Sequence, residues 1–168
     1  MKLFRTSRKT RTTGIAVLLV AVAAIFTAFS GVLVRDHQDA HDQRGTDAAI
    51  LSAARSGVLA MISVRDTSAA DDVKKVLDQS TGAFRKDFEA RSQSFIAVVQ
   101  QAKVVTTGDI LAQGIEARAD GSATVLVAAT SSVSNAAGAA NETRSWRLRV
   151  TMTEDNDLYK MSNVEFVA

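Results

Sequence analysis

The chain has 168 residues, with 20 Lys and Arg against 18 Asp and Glu, and it contains neither cysteine nor proline. That length admits one modest domain beside a targeting segment, and the missing cysteine excludes disulfide staples, lipoprotein processing and cysteine nucleophiles. Five basic residues (Lys2, Arg5, Arg8, Lys9, Arg11) precede an apolar run and Arg35 borders it, which leaves 14 against 18 acidic residues in 36–168, a net −4 with no electrostatic reason to seek nucleic acid.

Gly14 to Val34 is 21 residues without a charge. About 20 apolar residues at 1.5 Å rise span a hydrocarbon core of about 30 Å, and backbone inside lipid must be helical. A cleaved signal has a shorter apolar region, of about 7–15 residues. Here Val32, Leu33 and Val34 continue past the one small-residue site, Ala28-Phe29-Ser30. The spacing therefore predicts an uncleaved anchor. Its basic flank, against the balanced Arg35, Asp36, Asp39, Asp42 and Arg44, holds the N-terminus in the cytoplasm and sends the remainder into the periplasm or cell envelope.

Residues 36–64 read as helix. Polar residues 35–45 form a stalk, and Gly45-Thr46-Asp47 marks a break and a new N-cap. Ile50, Leu51, Ala54, Val58, Met61 and Ile62 then lie on one stripe with a period near 3.6. Asp66-Thr67-Ser68 supplies a turn and cap for a short helix carrying Val73, Val76 and Leu77. Ser80-Thr81-Gly82 interrupts it. Phe84, Phe88, Phe95 and Val99 share the next helical face, which the spacing assigns to the core.

From Lys103 the period becomes strand-like. Residues 104–119 read as short alternations broken by Gly108 and Gly114, and Thr124 to Ala129 as a central strand after the Asp120-Gly121 turn. Trp146, Leu148, Val150 and Met152 alternate with Arg147, Arg149 and Thr151, as in a sheet with one wet face. A turn at 154–157 leads to a last strand with a bulge near Asn163. Helices first and meandering strands afterwards predict an α+β domain with helices on one face of a curved antiparallel sheet.

Chemistry is sparse. His37 and His41 are four apart on the polar stalk, with no rigid third ligand. No other histidine exists, so a Ser-His system inside the domain is unavailable. Asp71-Asp72 reads as an exposed first helical turn with favourable dipole placement. Asp109, Glu116 and Asp120 are the carboxylates that could face a cavity as a general base. Arg144, Arg147 and Arg149 form a basic cluster, read either as a solvated sheet face paired with acidic neighbours or as a contact for an acidic partner. Asn141-Glu142-Thr143 fits a glycosylation acceptor.

Asp78-Gln79-Ser80-Thr81-Gly82-Ala83-Phe84, with Phe88 following, resembles the "aspartate, Ser/Thr-Thr-Gly, phenylalanine" segment of Mce-associated membrane proteins of the actinobacterial envelope. Thr124 to Ala128, Val133-Ser134-Asn135 and the closing Val164-Glu165-Phe166-Val167 follow in the same order. The chain departs from that pattern at Leu158-Tyr159-Lys160, where the family places a tryptophan. The resemblance implies a nuclear-transport-factor-2-like (cystatin-like) cone, similar to the periplasmic domains of type IV secretion scaffolds. It also implies a non-enzymatic accessory role beside Mce lipid importers. Apart from any resemblance, Gly82 permits a sharp turn, Ser80 or Thr81 can cap the next helix, and Phe84 and Phe88 can anchor that helix to the sheet.

The expected organisation is a basic tail at 1–13, a transmembrane helix at 14–34, a stalk at 35–45 and an exported α+β domain at 46–168. The expected partners are the membrane and protein subunits of a lipid transporter, and lipid itself if the cone is open; no cofactor or metal is expected. The partner-contact residues are Ile50, Leu51, Val58, Met61, Ile62, Arg147 and Arg149, together with a strand edge. A lipid-binding cone and a steroid-isomerase-like enzyme are the alternatives.

Overall fold

The computed structural model describes residues 43–167. The chain divides into two compact units, Met1–Gly45 and Thr46–Ala168, and nearly all described residues belong to the second. The expected basic tail, the transmembrane helix at 14–34, most of the stalk, and His37 and His41 lie outside the described residues. Among those described, no helix is long and apolar enough to cross a membrane.

Helix α1 covers residues 43–62, and its backbone stays helical through Gly45, so the break expected there is absent. A two-residue strand β1 (Val64–Arg65) and a 3-10 turn (Asp66–Ser68) lead into α2 (Ala69–Asp78) and α3 (Gly82–Gln101). Four long strands follow: β2 (Val105–Ala119), β3 (Ser122–Ser134), β4 (Glu142–Asp155) and β5 (Leu158–Phe166). All five strands form one antiparallel sheet in sequence order. Tight turns explain that order: the β2–β3 turn places Gly121 at φ +67°, and the β4–β5 turn places Asn156 and Asp157 at positive φ.

β2 differs from the expected broken alternation. Gly108 and Gly114 both pair within one 15-residue strand. The interruptions are register shifts after Ile110 and after Ile115, which leave Leu111 and Glu116 unpaired as bulges. The bulge expected near Asn163 lies one residue earlier. Thr151 pairs with Asn163 and Met152 with Met161, so Ser162 is the extra residue.

The core lies between α1 and the inner face of the sheet. Ile50, Ala54, Val58 and Ile62 of α1 join Val125, Val127, Leu148, Val150, Met152 and Met161 in one buried cluster. Strand alternation puts Ala123, Val125, Val127 and Ala129 of β3 and Leu148, Val150 and Met152 of β4 into it. Two glycines set how closely α1 approaches. A Cβ on Gly57 would stand 2.7 Å from Met161 Sδ, and one on Gly108 would overlap Ile62. Ser63 Oγ also accepts the Gly108 N–H at 3.0 Å.

The expected core face of α3 needs correction. Only Ser92 and Val99 of this helix are buried. Phe84 and Phe88 are half-buried, stack at 5.9 Å between centroids and pack on the edge of the main core. Phe95, tilted 6.3 Å from Phe88, is 39% exposed. α1 already fills the concave side, so α3 closes the margin over β5 and α2, and its aromatic row is only partly covered.

Candidate interaction surfaces

The Ser80-Thr81-Gly82 corner joins the helical layer to the sheet. Gly82 takes φ +59°, the left-handed conformation that favours glycine. Ser80 forms a parallel bridge with Met161; the Thr81 N–H donates to Met161 O at 2.8 Å, and the Met161 N–H to Gln79 O at 2.9 Å. Thr81 occupies the N-cap of α3 without a side-chain capping bond. The buried Ser80 hydroxyl instead donates backwards to Val76 O at 2.5 Å, and the Arg85 guanidinium donates to Leu77 O. The corner therefore caps the end of α2 rather than the start of α3, and fixes both helices to β5.

Asp72 organises the other end of α2. Its carboxylate accepts the Arg65 N–H at 3.1 Å, the Ser68 hydroxyl at 2.8 Å and Lys75 Nζ at 2.8 Å. Burial pushes its pKa up, but the hydrogen bonds from Lys75, Ser68 and Arg65 outweigh burial and hold it below the ordinary value. Asp72 is thus a half-buried clamp, where the sequence had predicted an exposed first turn.

The helical stripe expected to meet a partner belongs to the domain's own interior. Ile50, Val58 and Ile62 are buried, and the half-buried Leu51 and Met61 pack on the same cluster. The amphipathic period holds, but what covers the stripe is this chain's sheet.

Arg147 and Arg149 do project from the outer face of the sheet. Alternation along β4 sends them opposite to Leu148 and Val150. Arg149 makes a two-pronged ion pair with Glu116, at 2.8 and 3.0 Å. The bulge after Ile115 places Glu116 on that face. Hydrogen bonding to Arg149 holds Glu116 below the ordinary carboxylate range, and the same bond, with Glu165 nearby, raises Arg149. Arg147 has no carboxylate within ion-pair distance among the described residues. Arg144 lies 4.0 Å from Glu142. Solvated pairing therefore holds for Arg149, while Arg147 pairs with none of the described carboxylates.

The carboxylates weighed as general bases stay outside the core. Asp109, Glu116 and Asp120 are exposed, and Asp109 lies 4.0 Å from Arg55. Every described Asp and Glu is half-buried or exposed; the buried polar residues are Ser80, Ser92 and Ser131. Ser131 Oγ accepts the Trp146 indole N–H at 2.9 Å.

Surface grooves flank the domain, among them one of about 430 Å³ around Asp72, Ser63 and Thr106 and two others. One, of about 460 Å³, lies between α1 (Ala49, Ser52, Ser56) and the β4–β5 turn (Asp157, Leu158). The other, of about 340 Å³, lies on the outer sheet face between Leu126, Arg147 and Val167. Sequence reasoning missed them, because each is made by residues from separate elements.

The chain matches, over residues 11–168, the family described as "Uncharacterized protein Rv1363c/MT1408-like". It is similar to the protein described as "Uncharacterized protein Rv1363c" of Mycobacterium tuberculosis, at 47% identity over 148 residues. That match covers 88% of this chain and 57% of the relative, so the chain spans little more than half the relative's length. Among solved structures, the periplasmic domain of DotI is similar with a TM-score of 0.54 and 17% identity, covering 72% of this chain and 94% of that one. The VirB8 protein of Agrobacterium tumefaciens gives 0.54 and 9%, covering 71% and 90%. An IcmL-like type IV secretion system protein of Legionella pneumophila gives 0.51 and 11%, covering 69% and 88%. At these identities the likeness is one of fold, and it agrees with the α+β architecture expected from the sequence. By sequence, the chain belongs to the Rv1363c/MT1408-like family.

Proposed function

We propose that this chain is a membrane-anchored, non-enzymatic accessory subunit of an envelope complex, with residues 14–34 as its single span and its folded domain on the outer side of the plasma membrane. The observation that carries the reading is the fold. A filled α+β domain of the type seen in the DotI periplasmic domain and VirB8 follows a sequence segment with the length and basic flank of an anchor. Such a domain offers surfaces to other proteins rather than a chamber for chemistry.

The finer assignment, to an Mce-type lipid importer, rests on the resemblance of the Asp78–Phe84 segment and of the strands after it. The cone architecture implied by that resemblance is compatible with the observed meander and helices. Filling of the concave side weighs against the lipid-binding alternative. Among the described residues Leu148, Val150, Met152 and Met161 are at most 1% exposed beneath α1, leaving no room there for an acyl chain. The isomerase-like alternative needs a carboxylate with a raised pKa inside a pocket; the half-buried Asp72, which lines a groove with Ser63, Ser68 and Lys75, is instead held below its ordinary value by its hydrogen bonds.

The test is affinity purification of the tagged full-length chain from its own membranes in mild detergent. Stoichiometric recovery of integral transporter subunits supports the assignment. A monodisperse chain without protein partners, or full-length chain in the water-soluble fraction, refutes it.

A further inference from the structure

The outer face of the sheet contains a strand glycine that neither positive φ nor close packing requires. Gly82, Gly121 and Gly138 have positive φ, and Gly57 and Gly108 are pressed against Met161 and Ile62. Gly114 has neither reason. Its φ is not positive, and a Cβ there would meet nothing within 4 Å. A glycine inside a strand weakens it, and commonly marks a bulge or close approach by a ligand or another backbone; Gly114 lies between the bulges at Leu111 and Glu116 but is itself paired, with Leu126.

Gly114 pairs with Leu126, and beside it Ala112 pairs with Ala128, which pairs in turn with Arg147. These small residues floor the 340 Å³ depression, between the 39% exposed Leu126 and Arg147, with Val167 at the rim. The bulge after Ile110 adds Leu111, 65% exposed, beside Ala112. Charge on this face is uneven. Arg149 is matched by Glu116 with Glu165 nearby, whereas Arg147, next to the hollow, has no described carboxylate within 4.0 Å.

We propose that this hollow docks a segment of a protein partner bearing a bulky apolar side chain next to a carboxylate, the side chain over Gly114 and the carboxylate on Arg147. A second copy of the chain fits poorly. A two-fold contact through this patch would set hollow against hollow and Arg147 against Arg147. The proposal rests on the partner-docking reading above and adds the site and the chemistry of the partner.

Gly114→Val separates binding from folding. The open space accepts the side chain, and valine favours a strand, so the unfolding midpoint should equal or exceed that of the parent while the hollow is filled. The probe is a phage library of random 12-residue peptides, selected on the full-length chain in detergent micelles. The expected result is enrichment of Asp or Glu next to Leu, Ile or Phe, with binding reduced at least about tenfold in both Gly114→Val and Arg147→Glu. In cells, a photo-crosslinking residue at Leu111 should capture one polypeptide through an acidic-apolar segment, and both substitutions should abolish capture. Absence of acidic-apolar enrichment, binding indifferent to both substitutions, or capture of a second copy or of lipid overturns the proposal. If transporter subunits copurify equally with parent and variants, the accessory role survives and this docking site fails. If none copurify with the parent, both fail.

Discussion

Gly57→Ala should destabilise the domain, although alanine is the better helix former. Alanine gains about 1 kcal/mol over glycine in a helix interior. Against that, the new Cβ would lie 2.7 Å from Met161 Sδ, 2.9 Å from Cε and 3.0 Å from Cγ, where unstrained carbon contacts sit at about 3.5–4.0 Å. Methionine is flexible, but Met161 is 0% exposed between Val58, Val150 and Met152 in a filled cluster, so it has nowhere to retreat. Overpacking of this kind costs about 1–3 kcal/mol, leaving a net loss of about 1 kcal/mol. Met161→Ala alone should cost about 2–5 kcal/mol. In that background the overlap is gone, so adding Gly57→Ala should stabilise by about 1 kcal/mol. The sign of one substitution thus reverses with its neighbour, a coupling of about 2 kcal/mol. Urea unfolding of the four proteins, followed by the fluorescence of the single tryptophan, Trp146, measures the cycle. A neutral or stabilising Gly57→Ala in the parent, or equal effects in both backgrounds, would refute the close packing of α1 on β5.

Four further outcomes follow from the same structure. Gly82→Ala should lose about 1 kcal/mol because alanine is strained at φ +59°; an unchanged urea midpoint would contradict the corner geometry. The folded pKa of Asp72 is depressed, so its contribution is present above its unfolded pKa of about 3.9 and is lost as pH falls through the lower folded value. Asp72→Asn should therefore flatten the acid limb of the stability–pH curve below about pH 4, and a parallel limb would count against the clamp. Gln113 lies on the inner face opposite Val127, and its Oε1 is buried without a hydrogen-bond partner among the described residues. Gln113→Met should consequently stabilise by about 1 kcal/mol, and a loss of that size would mean the amide has a partner. Removing Arg149 from its exposed pair with Glu116 should leave the urea midpoint nearly unchanged, and high salt should erase what difference there is; a large loss would place the pair in the core.

Much of the architecture was legible in one dimension because it repeats. The α1 stripe, the inward alternation of Trp146, Leu148, Val150 and Met152, and the turns at Asp120-Gly121 and 154–157 each follow from a local period or a local φ requirement. The errors have a common cause. Local spacing marks Gly45, Gly108 and Gly114 as breaks, yet helix or strand runs through all three. A glycine shows that the chain is permitted to turn, while its neighbours decide whether it does. Phe95 was assigned to the core by its spacing, but a helical face is buried only if something remains to cover it, and α1 had already taken the concave side.

The sequence alone determined the net charge of residues 36–168, the missing cysteine chemistry, the order of helices before strands, and a 21-residue apolar segment of membrane-spanning length. All of these are properties of composition or of contacts a few residues apart. Tertiary structure decided which apolar stripe became interior and which stayed exposed, that Glu116 reaches Arg149 across β3, and that Ala112, Gly114 and Ala128 form one hollow beside Arg147. Those outcomes depend on strand register, and two one-residue bulges in β2 reset which side chains face outward.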